Sequence, residues 1–260
     1  MLNLKFLSPI FKMTGFEDFS EALRFLTVLP VPAGRKSSEA PRDLARAVRF
    51  FPAAGWVLAV ISWAIFKTAG VFFSHPIPSL ALLAGPILLS GGLHMDGFAD
   101  FCDGFFSGRD RSGTLAIMKD PRVGAWAVIG SCLLLLVKWE LLKVLSRGPG
   151  AFFTAILAGR MALAGLSAFL PYAGAEDGLG RSLAGRVGTG TLLAAGLWLV
   201  PLALFYPRGL MLFAAASFFI LALGIWFKKK LGGFTGDLLG AASELTELFV
   251  LAVAACGMRT

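Results

Sequence analysis

From Gly91 to Arg122 the chain reads Gly91-Gly92-Leu93-His94-Met95-Asp96-Gly97-Phe98-Ala99-Asp100-Phe101-Cys102-Asp103-Gly104, then Asp110, Lys119, Asp120 and Arg122. This stretch holds five of the 16 acidic residues in 260. On a helix Asp96, Asp100 and Asp103 fall at i, i+4 and i+7, so three carboxylates project from one face. Like charges held that close repel one another, and a divalent cation with oxygen ligands is the usual remedy. Asp96, Asp100 and Asp103 are therefore the candidate metal ligands. The plainer reading is that they cap and solvate a helix end, and Asp110, beyond Gly104 and Gly108, is evenly balanced between the two. His94, two residues before the first carboxylate, reads equally as a general base or as a packing histidine. A carboxylate-held metal suits phosphoryl transfer, where positioning and charge neutralisation do most of the catalysis.

Lys119, Arg122 and Arg109 are candidate ligands for phosphate oxygens, with topology signals or lipid contacts as the alternative. Asp237 and Glu244, seven residues apart, share a helix face and either complete a second metal site, bind a substrate hydroxyl or belong to a structural polar network. Arg160 sits inside an apolar stretch and needs an acidic partner, Glu244 or a substrate phosphate. Lys67, Lys138 and Glu140 lie nearer the ends of such stretches and are expected to snorkel. Cys102, a thiol among carboxylates, would be a poor nucleophile and reads as structural.

The elements that must hold these groups are apolar: 57% of residues are hydrophobic, 24 are Phe and only 15% are charged. That composition belongs to an integral membrane protein. The expected fold is all-α, a polytopic helical bundle forming one domain, with residues 1–14 as an N-terminal extension. About seven spans are expected, at 53–73, 79–95, 124–142, 151–170, 188–206, 210–227 and 239–256. Phe16, Phe19, Leu23 and Leu26 form an apolar stripe that predicts an interfacial amphipathic helix before the first span. Of the 24 Lys and Arg, seventeen fall in 1–52, 96–122, 171–187 and 228–238, which puts those segments, and with them the candidate site, on the cytoplasmic side. The net charge of +8 does not point to nucleic acid, because the basic residues are dispersed among loops with no aromatic-basic recognition motif.

The run Gly91–Gly104 followed by Leu115-Ala116-Ile117-Met118-Lys119-Asp120-Pro121-Arg122-Val123-Gly124-Ala125 closely resembles the signature of the cobalamin synthase (adenosylcobinamide-GDP ribazoletransferase) family. Phe25-Leu26-Thr27-Val28-Leu29-Pro30-Val31-Pro32, Phe51-Pro52-Ala53-Ala54-Gly55 and Gly232-Gly233-Phe234-Thr235-Gly236-Asp237-Leu238-Leu239-Gly240-Ala241 resemble its other motifs, in family order. The resemblance implies a Mg2+-dependent transfer in which the 5′-hydroxyl of α-ribazole, or its 5′-phosphate as substrate, attacks the cobinamide-linked phosphorus of adenosylcobinamide-GDP and GMP leaves. It also implies a bacterial cytoplasmic membrane enzyme with its site facing the cytoplasm, and association with other cobalamin-assembly enzymes or a second copy of itself. Two other classes share parts of the pattern. CDP-alcohol phosphotransferases and UbiA-like prenyltransferases use aspartates at helix ends, but Asp-Gly-Phe-Ala-Asp-Phe departs from the core of the first and the paired motifs of the second are lacking. A cation-coupled transporter would place its carboxylates at mid-membrane, whereas the densest cluster here lies at a span boundary.

Overall fold

The computed structural model describes residues 8–31, 44–146, 148–175 and 178–256. Twelve α-helices follow one another among these residues, joined by short 3-10 turns. The isolated parallel bridge between Tyr172 and Phe234 is the extended pairing among them. Helix α1 (Ser8–Leu26) and the short α2 (Leu44–Ala47) lead into α3 (Phe51–Phe72), α4 (Leu80–Leu89) and α5 (Leu93–Phe106). After α6 (Arg111–Ile117) come α7 (Ala125–Leu145), α8 (Gly150–Phe169), α9 (Thr189–Gly196), α10 (Val200–Phe205), α11 (Arg208–Leu231) and α12 (Gly236–Cys256). Of the N-terminal extension, residues 1–7 lie outside the described residues, as does Pro32 of the first motif.

All seven expected spans fall on helices, but their lengths differ. Leu44–Phe72, α8, α11 and α12 are long and apolar enough to cross a membrane, and the α4–α5 pair makes a fifth if it counts as one broken span. The stretch 188–206 is divided into α9, a 3-10 turn at Leu197–Leu199 and α10, each too short to cross alone. Helix α7 has the length but carries Lys138, Glu140 and Lys143.

The break between α4 and α5 is the feature that builds the site. Ten residues of α4 rise only about 15 Å, roughly half a hydrocarbon core. Gly91 and Gly92 then adopt left-handed backbone with φ of 63° and 75°, a conformation that costs glycine nothing. The chain turns through 87° into α5. A side chain at Gly91 would also meet Val28 Cγ1 at 2.8 Å, because residue 28 is pinned to the end of α4 by its N–H donating to Leu89 O at 2.8 Å.

Helix α12 is the axis of the bundle and packs on α5, α7, α8 and α11. Its close approach to α5 depends on two glycines. A Cβ at Gly97 would meet Asp237 O at 2.7 Å, and one at Gly240 would meet His94 Cα at 3.2 Å. Cys102 is buried against α7, where a Cβ at Gly130 would lie 2.5 Å from its sulfur.

The N-terminal helix differs from the expectation. Leu23 and Leu26 are buried in the main core, Phe19 meets Phe50 edge-on and Phe25 stacks on Phe51, while Phe16 alone of the stripe stays exposed. Asp18 pairs with Arg49 and Arg46, clamping α1 to the segment before α3. Most of the apolar face is thus turned to protein, because the entry to α3 offers a matching surface.

Candidate active site at the junction of α5 and α12

A cavity of about 560 Å3 opens between α5, α6, the start of α12 and the segments 172–175 and 178–183. Its wall carries His94, Asp96, Lys119, Tyr172, Thr235 and Asp237. The chain at 171–173 is tied to α12 by Ala173 N–H donating to Phe234 O at 2.8 Å and Phe234 N–H donating to Pro171 O at 2.9 Å. Thr235 begins α12, its hydroxyl accepting from Leu238 N–H at 3.2 Å, so the positive end of the helix dipole faces the cavity. Lys119, exposed on the turn after α6, lies within electrostatic reach of Asp237. The site therefore combines carboxylates, a lysine and a helix N-terminus, an arrangement suited to a phosphate accompanied by a cation.

The acidic cluster is assembled from two helices. Asp96 and Asp100 of α5 and Asp237 of α12 all act on one another through space as like charges, and none of the three has an ion-pair partner among the described residues. As the side chains stand, no three metal-ligating groups among the described residues converge on one point. The donor set nevertheless fits magnesium, which prefers hard oxygen and is usually held by one or two carboxylates plus substrate phosphates rather than by an all-protein cage.

Asp103 has other work. Its Oδ2 accepts from Gly124 N–H at 2.6 Å and its Oδ1 from Ala127 N–H at 2.8 Å, so it satisfies the free amides at the start of α7. Asp103→Ala is expected to cost about 1–2 kcal/mol in thermal unfolding, as helix-cap removals do, while turnover of the folded fraction stays near the parental value. A collapse of turnover with unchanged stability would return Asp103 to the metal. Asp110 caps α6, accepting from Gly113 N–H and Ser112 Oγ at 2.9 Å each, which holds its carboxyl below the usual range.

The remaining expected site residues are dispersed. Arg122 grips Asp120 with its Nε 2.9 Å and Nη2 2.5 Å from carboxylate oxygens, which pushes the Asp120 carboxyl down to about 2. Arg109 lines no part of the cavity, and its carbonyl accepts from Lys230 Nζ at 2.7 Å.

Glu244, expected beside Asp237, lies deeper and accepts from Lys138 at 2.5 Å, and Glu247 accepts from the same Lys138 at 2.8 Å. Lys138 does not snorkel: its side chain is 6% exposed, held inward by the two carboxylates. Arg160, fully buried, donates from Nη1 to Glu247 Oε1 at 3.0 Å and to Ser243 Oγ at 2.7 Å, so its acidic partner is Glu247. His94 is 2% exposed, lines the cavity, and its Nε2 has no hydrogen-bond partner.

A model of the family described as "Cobalamin-5-phosphate synthase" matches residues 18–255. Among curated relatives, the adenosylcobinamide-GDP ribazoletransferase of Brevibacillus brevis is 36% identical over 241 residues, covering 90% of this chain and 96% of its own. The protein of that name from Chlorobaculum parvum is 38% identical over 92% of this chain and 94% of its own. The one from Acetivibrio thermocellus is 34% identical over 95% and 97%. No solved structure matches the chain.

Proposed function

The chain belongs to the cobalamin-5-phosphate synthase family, and from that premise we infer that it is an adenosylcobinamide-GDP ribazoletransferase acting late in cobalamin biosynthesis. It joins adenosylcobinamide-GDP to α-ribazole, or to α-ribazole 5′-phosphate, and releases GMP. The observation that carries this reading is the cavity in which Asp96 of α5, Asp237 of α12 and Lys119 meet at a helix N-terminus.

The family name carries a correction to the expected chemistry. A product that keeps a 5-phosphate cannot have been made through the 5′-oxygen, so the nucleophile common to both ribazole substrates is a secondary ribose hydroxyl. Its oxygen bonds to the cobinamide-side phosphorus as the bond to the bridging oxygen breaks. The bond electrons leave with GMP, and the hydroxyl proton passes to water. Lys119 and the α12 N-terminus offset the charge that gathers on the departing phosphate. Asp96, Asp100 and Asp237 would hold magnesium, which when bound would neutralise diphosphate oxygens.

We place the enzyme in the cytoplasmic membrane with the cavity on the cytoplasmic side, a reading supported by the concentration of Lys and Arg in the segments around it. The buried carboxylates Glu244 and Glu247 are each bonded to a cation of the protein itself, which speaks against their serving as a transporter's ion site. The test is GMP release and cobalamin formation by the purified protein in detergent. Stoichiometric products with magnesium and their loss with EDTA are expected, and metal-independent product formation would remove the metal from the site.

A further inference from the structure

A second cavity, of about 630 Å3, adjoins the first and is lined by Phe25, Thr27, Ser90, Met95, Asp96 and Ser131 among others. The two meet along Phe25, Leu93 and Asp96, which line both. Their chemistry is unequal. His94, Lys119 and Asp237 belong to the first, whereas Asp96 is the one ionisable group among the described residues lining the second.

We propose that this second cavity, at the break between α4 and α5, is the subsite for the ribazole nucleoside, so that nucleophile and leaving group occupy separate chambers joined at Asp96. The proposal rests on the ribazoletransferase reading above. In phosphoryl transfer the attacking and leaving oxygens lie roughly in line on opposite sides of phosphorus. Departing GMP gains negative charge and needs a cation, which the first chamber supplies in Lys119. The attacking nucleoside is uncharged at its ribose and base and needs none, and the described residues lining the second chamber offer no cation.

The lining agrees with an aromatic base on a sugar. Phe25 and Met95 offer aromatic and thioether surface. The Ser90 hydroxyl donates to Ile87 O at 3.1 Å, which leaves its oxygen to accept from a ribose hydroxyl, whereas Thr27 Oγ1 donates to Leu23 O at 2.7 Å and already accepts from Leu29 N–H at 3.3 Å. Val28 and Gly91 at the rim are not covered by other parts of the described chain, which leaves the mouth open for a 5′-phosphate, where present.

The experiment fills the chamber from two independent walls, with Ser131→Trp on α7 and Val28→Trp on the N-terminal segment, in the full-length protein. Initial rates are measured against α-ribazole and against adenosylcobinamide-GDP, alongside thermal unfolding. Both variants are expected to raise KM for α-ribazole by about tenfold or more, with KM for adenosylcobinamide-GDP and the unfolding midpoint unchanged. Lys119→Ala is expected to show the reverse split. An unchanged KM for α-ribazole in a folded variant of each wall, or a rise confined to adenosylcobinamide-GDP, overturns the subsite assignment and leaves the enzyme reading intact. A parent protein that makes no GMP removes the enzyme reading, and the subsite with it.

Discussion

Asp96→Asn is expected to release GMP about a hundred- to ten-thousand-fold more slowly than the parent, with thermal unfolding unchanged or raised. The side chain is exposed and lines both cavities, so its amide keeps the shape and strands no buried group. Removing one of the clustered carboxylates also relieves repulsion with Asp100 and Asp237, which is why stability is not expected to fall. The loss appears in turnover because the carboxylate acts where charge is rearranged between the two substrates. KM for adenosylcobinamide-GDP at high magnesium is expected to move less than kcat, since Lys119 and the α12 N-terminus still hold the phosphate. Near-parental turnover from a folded Asp96→Asn protein would mean the cluster is solvated scaffold and that the reaction is organised elsewhere.

The acidic run was legible because its signal is local. Spacings of four and seven place Asp96, Asp100 and Asp103 on one helix face whatever surrounds them, and α5 does form over them. Asp103 is set apart from the other two by partners 21 and 24 residues away: the amides of Gly124 and Ala127 claim it, and no spacing within α5 announces that. Asp237 joins the cluster through Gly97 and Gly240, each of which reads in isolation as an ordinary small residue of a membrane helix. The double glycine at 91–92 is plain in the sequence, yet the apolar run across it reads as one span at 79–95, because composition does not separate a straight helix from two that meet at 87°.

The charged residues inside apolar stretches show the same division. That Arg160 needs an acidic partner follows from its burial alone, but Glu244 and Glu247 sit one helical turn apart and either could have served. Lys138 settles it by taking Glu244 on one side and sharing Glu247 with Arg160 on the other. The sequence reads the lysine as snorkelling because it lies toward the end of its span, and only the packing of α7 on α12 turns it inward.

Glu247→Gln is expected to cost about 3–5 kcal/mol, lowering the midpoint of thermal unfolding in detergent by roughly ten degrees. Glu247 accepts from Lys138 through one oxygen and from Arg160 through the other, and all three side chains are at most 6% exposed. The amide leaves two buried cations against Glu244 alone, and an unpaired buried charge is what makes such a deletion expensive. Adding Arg160→Met to Glu247→Gln restores the balance of one lysine to one glutamate and is expected to recover most of the loss. Neither Arg160 nor Glu247 lines the two cavities, so KM for adenosylcobinamide-GDP in the double variant stays near that of the parent. A double variant that is as stable as the parent but has lost affinity for the diphosphate substrate would show Arg160 reaching a phosphate after all. An unchanged midpoint in Glu247→Gln would show instead that the network carries little of the stability of the bundle.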